Sequence, residues 1–276
     1  MPPVMLAIAA GLLGSLIGSF LNVCIVRWPA EQSILKPSRS QCPKCGHQIA
    51  WYENIPVVSW LGLRGKCSSC GERISIQYPL VELTTALLWG VVFWANGLTL
   101  TALALAVFST VMLGISVTDA KAYVIPDGFT VFGILFVFAV SVYASVQHET
   151  TPFATPWQAF LGACVGAGAI AIAGWLGEVA FKKEAMGFGD ATLMAVCGAA
   201  LGPERALLNV FVAALIGAIT FALVVGPIAW YRARRAGRTF EMPLVPFGVF
   251  LGPAAVVTLL YGDRLMTWYL GTIRIT

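Results

Sequence analysis

Two aspartates in this sequence stand where long apolar runs meet polar connections. Asp119 follows the apolar run at residues 102–117, and Asp190 ends a Gly-Phe-Gly-Asp sequence ahead of the apolar run at residues 191–201. A carboxylate at the edge of membrane hydrocarbon is energetically costly, so an ionisable residue there indicates a functional site. Two carboxyl groups on one side of a membrane can share a proton, which suits acid–base hydrolysis of a peptide bond.

The two aspartates are predicted to lie at opposite ends of helices. Asp119 follows the C-terminal end of one, where the helix dipole disfavours an ionised carboxylate, and Asp190 opens another, where free backbone N–H groups stabilise it. An aspartic peptidase needs such a difference, because one carboxyl must be protonated to polarise the scissile carbonyl while the other takes a proton from water. The alternatives are a solvated loop charge for Asp119 and simple helix capping for Asp190.

Several nearby residues are candidates for supporting these carboxyl groups. Gly187 and Gly189 would allow close approach of a peptide backbone or an unusual turn. Lys183 and Glu184 are candidate active-site supports, with a solvated pair as the alternative. Asp127 follows a proline at the start of another apolar run, which predicts a helix N-cap rather than a catalytic role.

Two Cys-x-x-Cys pairs lie in the long polar stretch at residues 28–77. They consist of Cys42, Cys45, Cys67 and Cys70. Their spacing is typical of a four-thiolate zinc site, and four protein ligands leave no open position, which favours a structural ion. A redox pair or a chance cluster is the alternative, but a loop of about fifty residues has too small a core to stabilise itself. His47 could substitute as a ligand.

The composition places this chain in a membrane. Hydrophobic residues make up 58% and charged residues 11% of its 276 residues, and the mean hydropathy is +0.83. A helix needs about 20 apolar residues to cross a bilayer. Eight spans are predicted, near residues 4–26, 80–94, 98–117, 129–146, 160–181, 191–201, 207–230 and 245–261. The sixth is short enough to be tilted, re-entrant or partly lining a wet cavity. The first, with no basic segment before it, is predicted to be retained rather than cleaved.

The distribution of basic residues predicts the orientation. If the connections that carry Asp119 and Asp190 share one side, fourteen of the seventeen Lys and Arg residues lie on that side. Only Arg205, Arg264 and Arg274 fall opposite. Cytoplasmic loops carry the excess of positive charge, so both aspartates are predicted to face the cytoplasm and both termini to lie outside. The basic cluster at residues 232–235 would meet anionic lipid head groups of the bilayer, and no feature indicates a nucleic-acid partner.

The sequence resembles the type IV prepilin peptidases, a family of membrane aspartic proteases that combine leader cleavage with N-methylation. The matching segments are Gly-Ser-Phe-Leu-Asn-Val at 18–23, the two cysteine pairs, Asn-Ile-Pro at 54–56, Ser-Trp-Leu at 59–61, Tyr-Pro-Leu-Val-Glu at 78–82, Asp119 eight residues before Asp127, and Gly-x-Gly-Asp at 187–190. Members often carry Lys two residues after the second aspartate, where this chain has Thr192.

The resemblance implies a specific reaction. Asp119 and Asp190 would form the catalytic pair, and Gly187 and Gly189 would be the motif glycines. The substrate would be a prepilin or pseudopilin of a type IV pilus or type II secretion system, cut after a Gly at the cytoplasmic face of the bacterial inner membrane. S-adenosylmethionine would then methylate the new N-terminal Phe, an activity that family members associate with the zinc loop.

The predicted fold is an all-α polytopic membrane protein with a small cytoplasmic zinc-binding loop domain. Its predicted parts are a first transmembrane helix at 1–27, the zinc loop at 28–78 and a peptidase core at 79–276. A proton- or ion-coupled transporter would also want carboxylates in the membrane, but it should show repeated halves and polar residues near the midplane. A structural assembly factor is the third class, and it would tolerate loss of either aspartate.

Overall fold

The computed structural model describes residues 2–37, 39–182, 186–237, 239 and 243–273. Ten α-helices are described: α1 Pro3–Arg27, α2 Val58–Gly62, α3 Gln77–Asn96, α4 Leu100–Ala122, α5 Asp127–Gln147, α6 Pro156–Phe181, α7 Phe188–Leu201, α8 Pro203–Thr220, α9 Gly226–Arg235 and α10 Gly248–Ile273. A 3-10 helix covers Trp51–Asn54, and one π-helical turn at Phe221–Val225 joins α8 to α9 without a break.

Seven of the described helical segments are long and apolar enough to cross a membrane. They are α1, α3, α4, α5, α6, the continuous segment Pro203–Arg235, and α10. Many large apolar side chains on them are exposed, as lipid contact requires; Leu12, Leu87 and Phe211 are examples. The prediction of an all-α polytopic membrane protein is confirmed.

Helix α7 is the short sixth span of the sequence prediction. Its 14 residues extend about 21 Å, less than the hydrocarbon thickness of about 30 Å. Residues 193 and 194 and residues 196–201 are all buried, and α7 packs against α5, α6, α8 and α10. A helix enclosed by other helices does not need to match the lipid thickness, because its ends can meet protein or water.

The chain forms two compact units, residues 1–114 and 115–276. In the first unit, α1 packs against α3 through glycines. A Cβ atom at Gly14 would lie 2.8 Å from the Thr85 carbonyl oxygen, and one at Gly18 would lie 2.8 Å from the Glu82 Cα atom. Lipid tails are as apolar as leucine, so helices in a membrane associate through close van der Waals contact, which small residues permit.

The polar loop after α1 is tied to the helix ends by hydrogen bonds. The Arg27 guanidinium donates to the carbonyl oxygens of Ser33, Ile34 and Pro37 at 3.2, 3.1 and 2.9 Å. Farther along the loop, the Glu82 carboxylate of α3 accepts a 2.7 Å bond from the Val57 N–H. These contacts give a loop with little core of its own a defined position against α1 and α3.

Val57 has an unusual backbone conformation. Its φ of 62° and ψ of −49° lie near the γ-turn of positive φ, and the Val58 N–H bonds to the Pro56 carbonyl oxygen at 2.6 Å. A β-branched residue strongly disfavours positive φ, so the surrounding structure must hold this turn. The bond from Val57 to Glu82 is one such restraint.

In the second unit, α6 and α7 make backbone contact at a pair of glycines. A Cβ atom at Gly162 would lie 2.1 Å from the Gly198 carbonyl oxygen, and a Cβ atom at Gly198 would lie 2.0 Å from the Gly162 carbonyl oxygen. Gly166 makes a similar approach to the Met194 carbonyl oxygen. The position of α7 in the bundle therefore depends on glycine at these points.

We predict that Gly198→Ala destabilises the protein by about 1–3 kcal/mol, the usual cost of overpacking, because the new methyl group would collide with the α6 backbone. Thermal unfolding in detergent measures this change. Gly168→Ala is the matched control, since a Cβ atom at Gly168 in α6 meets nothing within 4 Å. Equal stability of the two variants would contradict the close contact.

Candidate functional site

Asp119 lies in the last turn of α4. The sequence analysis predicted that Asp119 follows the end of a helix. Helix α4 instead continues to Ala122, so Asp119 lies inside the helix. The residue is only 5% exposed, which excludes a solvated loop charge. Its carboxyl group interacts with the backbone N–H groups of Gly248 and Val249, which open α10. A helix N-terminus offers unpaired N–H donors and a positive dipole end, so it stabilises a carboxylate at this position.

Asp190 is the third residue of α7. Gly187 occupies the N-cap position, the Asp190 N–H bonds to the Gly187 carbonyl oxygen at 3.1 Å, and no side chain caps the helix. The Asp190 carboxyl group itself interacts with the Gly187 N–H, so Asp190 contributes to the helix N-terminus in addition to lying beside Asp119. Its half-buried side chain lies in the positive first turn of α7. Thr192, which stands where family members often have Lys, donates its hydroxyl hydrogen to the Gly189 carbonyl oxygen at 2.8 Å.

The second unit brings the two aspartates together. Asp119 and Asp190, seventy-one residues apart in sequence, are close enough for their carboxyl charges to interact. Asp119 Oδ2 is buried and receives no hydrogen bond from the described part of the protein. Buried oxygen atoms are nearly always paired, so an unpaired carboxylate oxygen beside a second carboxyl group is a feature of reactive sites.

The motif glycines have different surroundings. A Cβ atom at Gly189 would lie 3.1 Å from the Ile125 Cβ atom, whereas one at Gly187 would meet nothing closer than 4.0 Å. Gly187 has a φ of −77°, so the unusual turn suggested by the sequence does not form there. Lys183 and Glu184, the other candidate supports, lie outside the described residues.

Gly248 is a site residue that the sequence reasoning missed. A Cβ atom there would lie 2.7 Å from Asp119 Oδ2 and 3.0 Å from the Ile125 Cδ1 atom. Only glycine therefore lets the start of α10 approach the Asp119 carboxyl. The available signal was a Pro-Phe-Gly sequence at 246–248 ahead of a long apolar run.

Asp127 is exposed and is the first residue of α5. Pro126 holds the N-cap position, and the described helix end has no side-chain capping bond, so the predicted capping role is not formed. The carboxylate still lies at the positive end of the helix dipole. Its exposure distinguishes it from the buried Asp119.

The four cysteines of the polar loop form a compact cluster in the first unit. The sulfur atoms of Cys42, Cys45, Cys67 and Cys70 all lie within 4.8 Å of one another. The separation is 3.8 Å between Cys42 and Cys70 and 4.0 Å between Cys45 and Cys67. Four sulfurs about 2.3 Å from a tetrahedral ion would be about 3.8 Å apart, so the cluster can hold a metal.

Each cysteine pair lies in a tight turn. The Cys42 N–H bonds to the His47 carbonyl oxygen at 2.9 Å, and the Cys67 N–H bonds to the Glu72 carbonyl oxygen at 2.8 Å. Gly46 and Gly71 follow the pairs with φ near 70°, which favours glycine. Hydrogen bonds from the backbone N–H groups of Cys45 and Lys44 stabilise the Cys42 thiolate, which is the form that binds a metal.

His47 is outside the sulfur cluster. Its Nε2 atom lies 3.2 Å from the Glu53 carboxylate and 3.4 Å from the Ser68 hydroxyl. Hydrogen bonds from Ser68, from the Ala50 N–H and from His47 lower the pKa of Glu53 to about 2. A Lys44–Glu72 ion pair links the two cysteine turns. His47 is therefore a neighbour of the cluster and not a fifth member.

Two family models match this chain. The model of the bacterial peptidase A24 N-terminal domain matches residues 12–96, and that of the type IV leader peptidase family matches residues 106–222. A prepilin leader peptidase/N-methyltransferase of Pseudomonas aeruginosa is 35% identical over 97% of this chain and 94% of its own length. This chain belongs to the type IV leader peptidase family.

Further family members bear the same name. A prepilin leader peptidase/N-methyltransferase of Stutzerimonas stutzeri is 33% identical over 99% of this chain and 96% of its own length. One from Myxococcus xanthus is 39% identical over 83% of this chain, and the match covers 64% of the length of that relative. No solved structure is significantly similar to the chain.

The family assignment confirms the resemblance found in the sequence. The matched leader peptidase region contains Asp119 and Asp190, and the matched N-terminal domain contains all four clustered cysteines. The comparisons support a peptidase with N-methyltransferase activity and give no support to a transporter.

Proposed function

We propose that this protein cleaves the leader peptide from type IV prepilins or pseudopilins and then methylates the new N-terminus. The observation that carries the proposal is the meeting of Asp119 and Asp190 in one site of a type IV leader peptidase family member. The relatives that match nearly the whole chain are named for both activities. The substrates are therefore membrane-anchored pilin precursors.

Asp119 and Asp190 act as an aspartic catalytic pair. Two carboxyl groups in one site hold one proton between them. The protonated carboxyl polarises the scissile carbonyl, and the ionised one takes a proton from the attacking water. The proton then passes to the leaving amine as the peptide bond breaks. The Gly248 and Val249 N–H groups orient the Asp119 carboxyl during these steps.

The peptidase site faces the cytoplasm of the bacterial inner membrane. Helix order within the second unit puts the α4–α5, α6–α7 and α9–α10 connections on one side. Lys121, Lys182 and the arginines at 232, 234 and 235 lie at these connections, whereas residues 148–155 on the opposite side contain no Lys or Arg. The positive-inside rule then orients the site toward the cytoplasm.

The cysteine cluster holds one structural zinc ion, and its four thiolates leave no position for a substrate. Binding the ion adds folding energy to a loop with little apolar core. S-adenosylmethionine supplies the methyl group in the second activity. The chain's part in that activity is to bind the methyl donor and the freed N-terminal amine.

Replacing either catalytic carboxyl tests the peptidase assignment. We predict that Asp119→Asn and Asp190→Asn each slow leader cleavage by about 10²–10⁴-fold, because an amide cannot exchange the proton. Cleavage of a purified prepilin in detergent micelles measures the rate. Asp127→Asn is the control and should stay near the wild-type rate, since Asp127 is exposed. Wild-type rates for Asp119→Asn or Asp190→Asn would refute the pair.

Gly248→Ala tests the packing beneath Asp119. The new methyl group would press on Asp119 Oδ2 and Ile125, and a shift of about 1 Å in a reacting group can cost about 10²-fold in rate. We expect kcat for leader cleavage to fall by about 10-fold or more. Gly271→Ala, in the same helix with nothing within 4 Å of its new methyl group, should cleave normally.

Metal analysis tests the zinc assignment. Purified protein should contain about one zinc ion per chain, and Cys42→Ser or Cys67→Ser should lose it, because a hydroxyl is a poor replacement for a thiolate ligand. Cys164→Ser, which changes an exposed cysteine outside the cluster, should keep the ion. Absence of metal, or disulfides among the four cysteines of protein kept reduced, would show that the assignment is wrong.

A further inference from the structure

A cavity of about 410 Å³, with a mainly apolar lining and several charged side chains, lies within the first unit. Its walls come from the end of α1, the cysteine loop and the start of α3, and none of its lining residues belongs to the peptidase site. Pockets of roughly 300–1,000 Å³ with a few well-placed polar groups are typical of small-molecule sites. The cavity can therefore enclose a ligand the size of a nucleoside derivative.

The cavity wall carries charges of both signs. Glu53, Glu72 and Glu82 line it together with Arg27 and Arg73. Glu53 is fixed by hydrogen bonds with the Ala50 N–H at 3.0 Å and His47 at 3.2 Å, and it remains ionised at neutral pH because its pKa is about 2. Its side chain is 11% exposed. A mostly enclosed carboxylate in a wall with arginines favours a ligand with both positive and negative groups.

One wall of the cavity is an aromatic ring held in a fixed position. The Trp60 indole N–H donates to the Ile74 carbonyl oxygen at 3.2 Å, and the ring lies against Gly65, where a Cβ atom would be 2.8 Å from it. The ring lines the cavity. An indole with its polar edge already paired offers its face for stacking on a flat heterocycle.

Part of the cavity wall has a strained backbone at Val57. Val57, with its positive φ, and Glu82, which accepts its N–H, both line the space. The Asn22 amide, 1% exposed, donates to the Tyr78 carbonyl oxygen at 3.0 Å beside them. Backbone strain maintained by buried polar contacts is common at ligand sites, where it gives the wall its shape before the ligand arrives.

We propose that this cavity is the binding site of S-adenosylmethionine. The inference rests on the methyltransferase activity proposed above. The ligand is a flat adenine joined to a sulfonium cation and an amino acid: Trp60 stacks on the adenine, Glu53 attracts the cationic portion, and Arg73 pairs with the carboxylate. Arg27 is engaged with three loop carbonyls and shapes the wall instead.

The transfer itself is balanced without any further reactant. A lone pair of the neutral pilin amine forms the N–CH3 bond as the S–CH3 bond breaks, its electrons stay on sulfur, and S-adenosylhomocysteine leaves as a neutral thioether. The amine then releases one proton to water. Glu53 acts as a binding residue in this scheme, because it holds the donor's positive charge before transfer.

Direct binding to the full-length protein in lipid nanodiscs tests the site. Equilibrium dialysis with radiolabelled S-adenosylmethionine should show one molecule bound per wild-type chain. Glu53→Gln and Trp60→Ala should each raise Kd by about 10-fold or more, through loss of the charge and of the stacking face. Trp51→Ala is the matched control for Trp60, since Trp51 is 80% exposed and does not line the cavity. Zinc content should be unchanged in all three variants, and leader cleavage should be unchanged in Trp51→Ala.

Ultraviolet crosslinking of the labelled ligand to the wild-type protein gives a second answer that does not depend on how the variants fold. Label in peptides from residues 40–82 is the expected result, and label confined to other peptides overturns the site. Unchanged Kd values for Glu53→Gln and Trp60→Ala also overturn it. The wild-type protein could methylate a cleaved pilin while the Kd values or the crosslinked peptides contradict the cavity. In that case the proposed binding site is wrong and the proposed function stands. If it neither binds the donor nor methylates, both fail.

Discussion

A carboxyl group buried near the end of a membrane helix must find polar partners inside the protein, because lipid offers none. In this protein the partners of Asp119 are the backbone N–H groups that open α10, and they reach it because residue 248 has no side chain. The contact places the start of α10 beside the end of α4, and α7 then carries Asp190 to the same site. The proposed catalytic pair thus depends on one close approach of the α10 backbone to a carboxylate oxygen of Asp119.

Glycine contacts extend the same principle to the rest of the bundle. Hydrophobic residues cannot draw helices together in lipid, so the helices must fit closely enough for van der Waals contact to hold them. Gly14 and Gly18 provide that fit between α1 and α3, and Gly162 and Gly198 provide it between α6 and α7. Helix α7 is short and enclosed, so this fit, rather than its own length, fixes where Asp190 lies.

The two units solve different physical problems. The second supports its carboxyl groups by packing within a bundle of helices. The first must order a polar loop with few buried apolar side chains, and it does so with polar contacts: Arg27 to loop carbonyls, Glu82 to the Val57 N–H, and four sulfurs arranged for an ion. Polar contacts of this kind leave charged groups inside the loop, and the cavity described above lies among them.

The sequence alone was enough for the features that depend on local pattern. Long apolar runs, paired cysteines and two aspartates at run boundaries identified the membrane helices, the cysteine cluster and the candidate carboxyl groups, because each depends on residue type and short-range spacing. The burial of Asp119, its contact with Gly248 and the contact of Gly162 with Gly198 were decided by the tertiary structure. A glycine in an apolar run looks the same in sequence whether the space beside it is empty, as at Gly168, or is filled by another backbone, as at Gly198. Only the identity of the neighbouring atoms separates these cases, and those atoms come from segments far away in the chain.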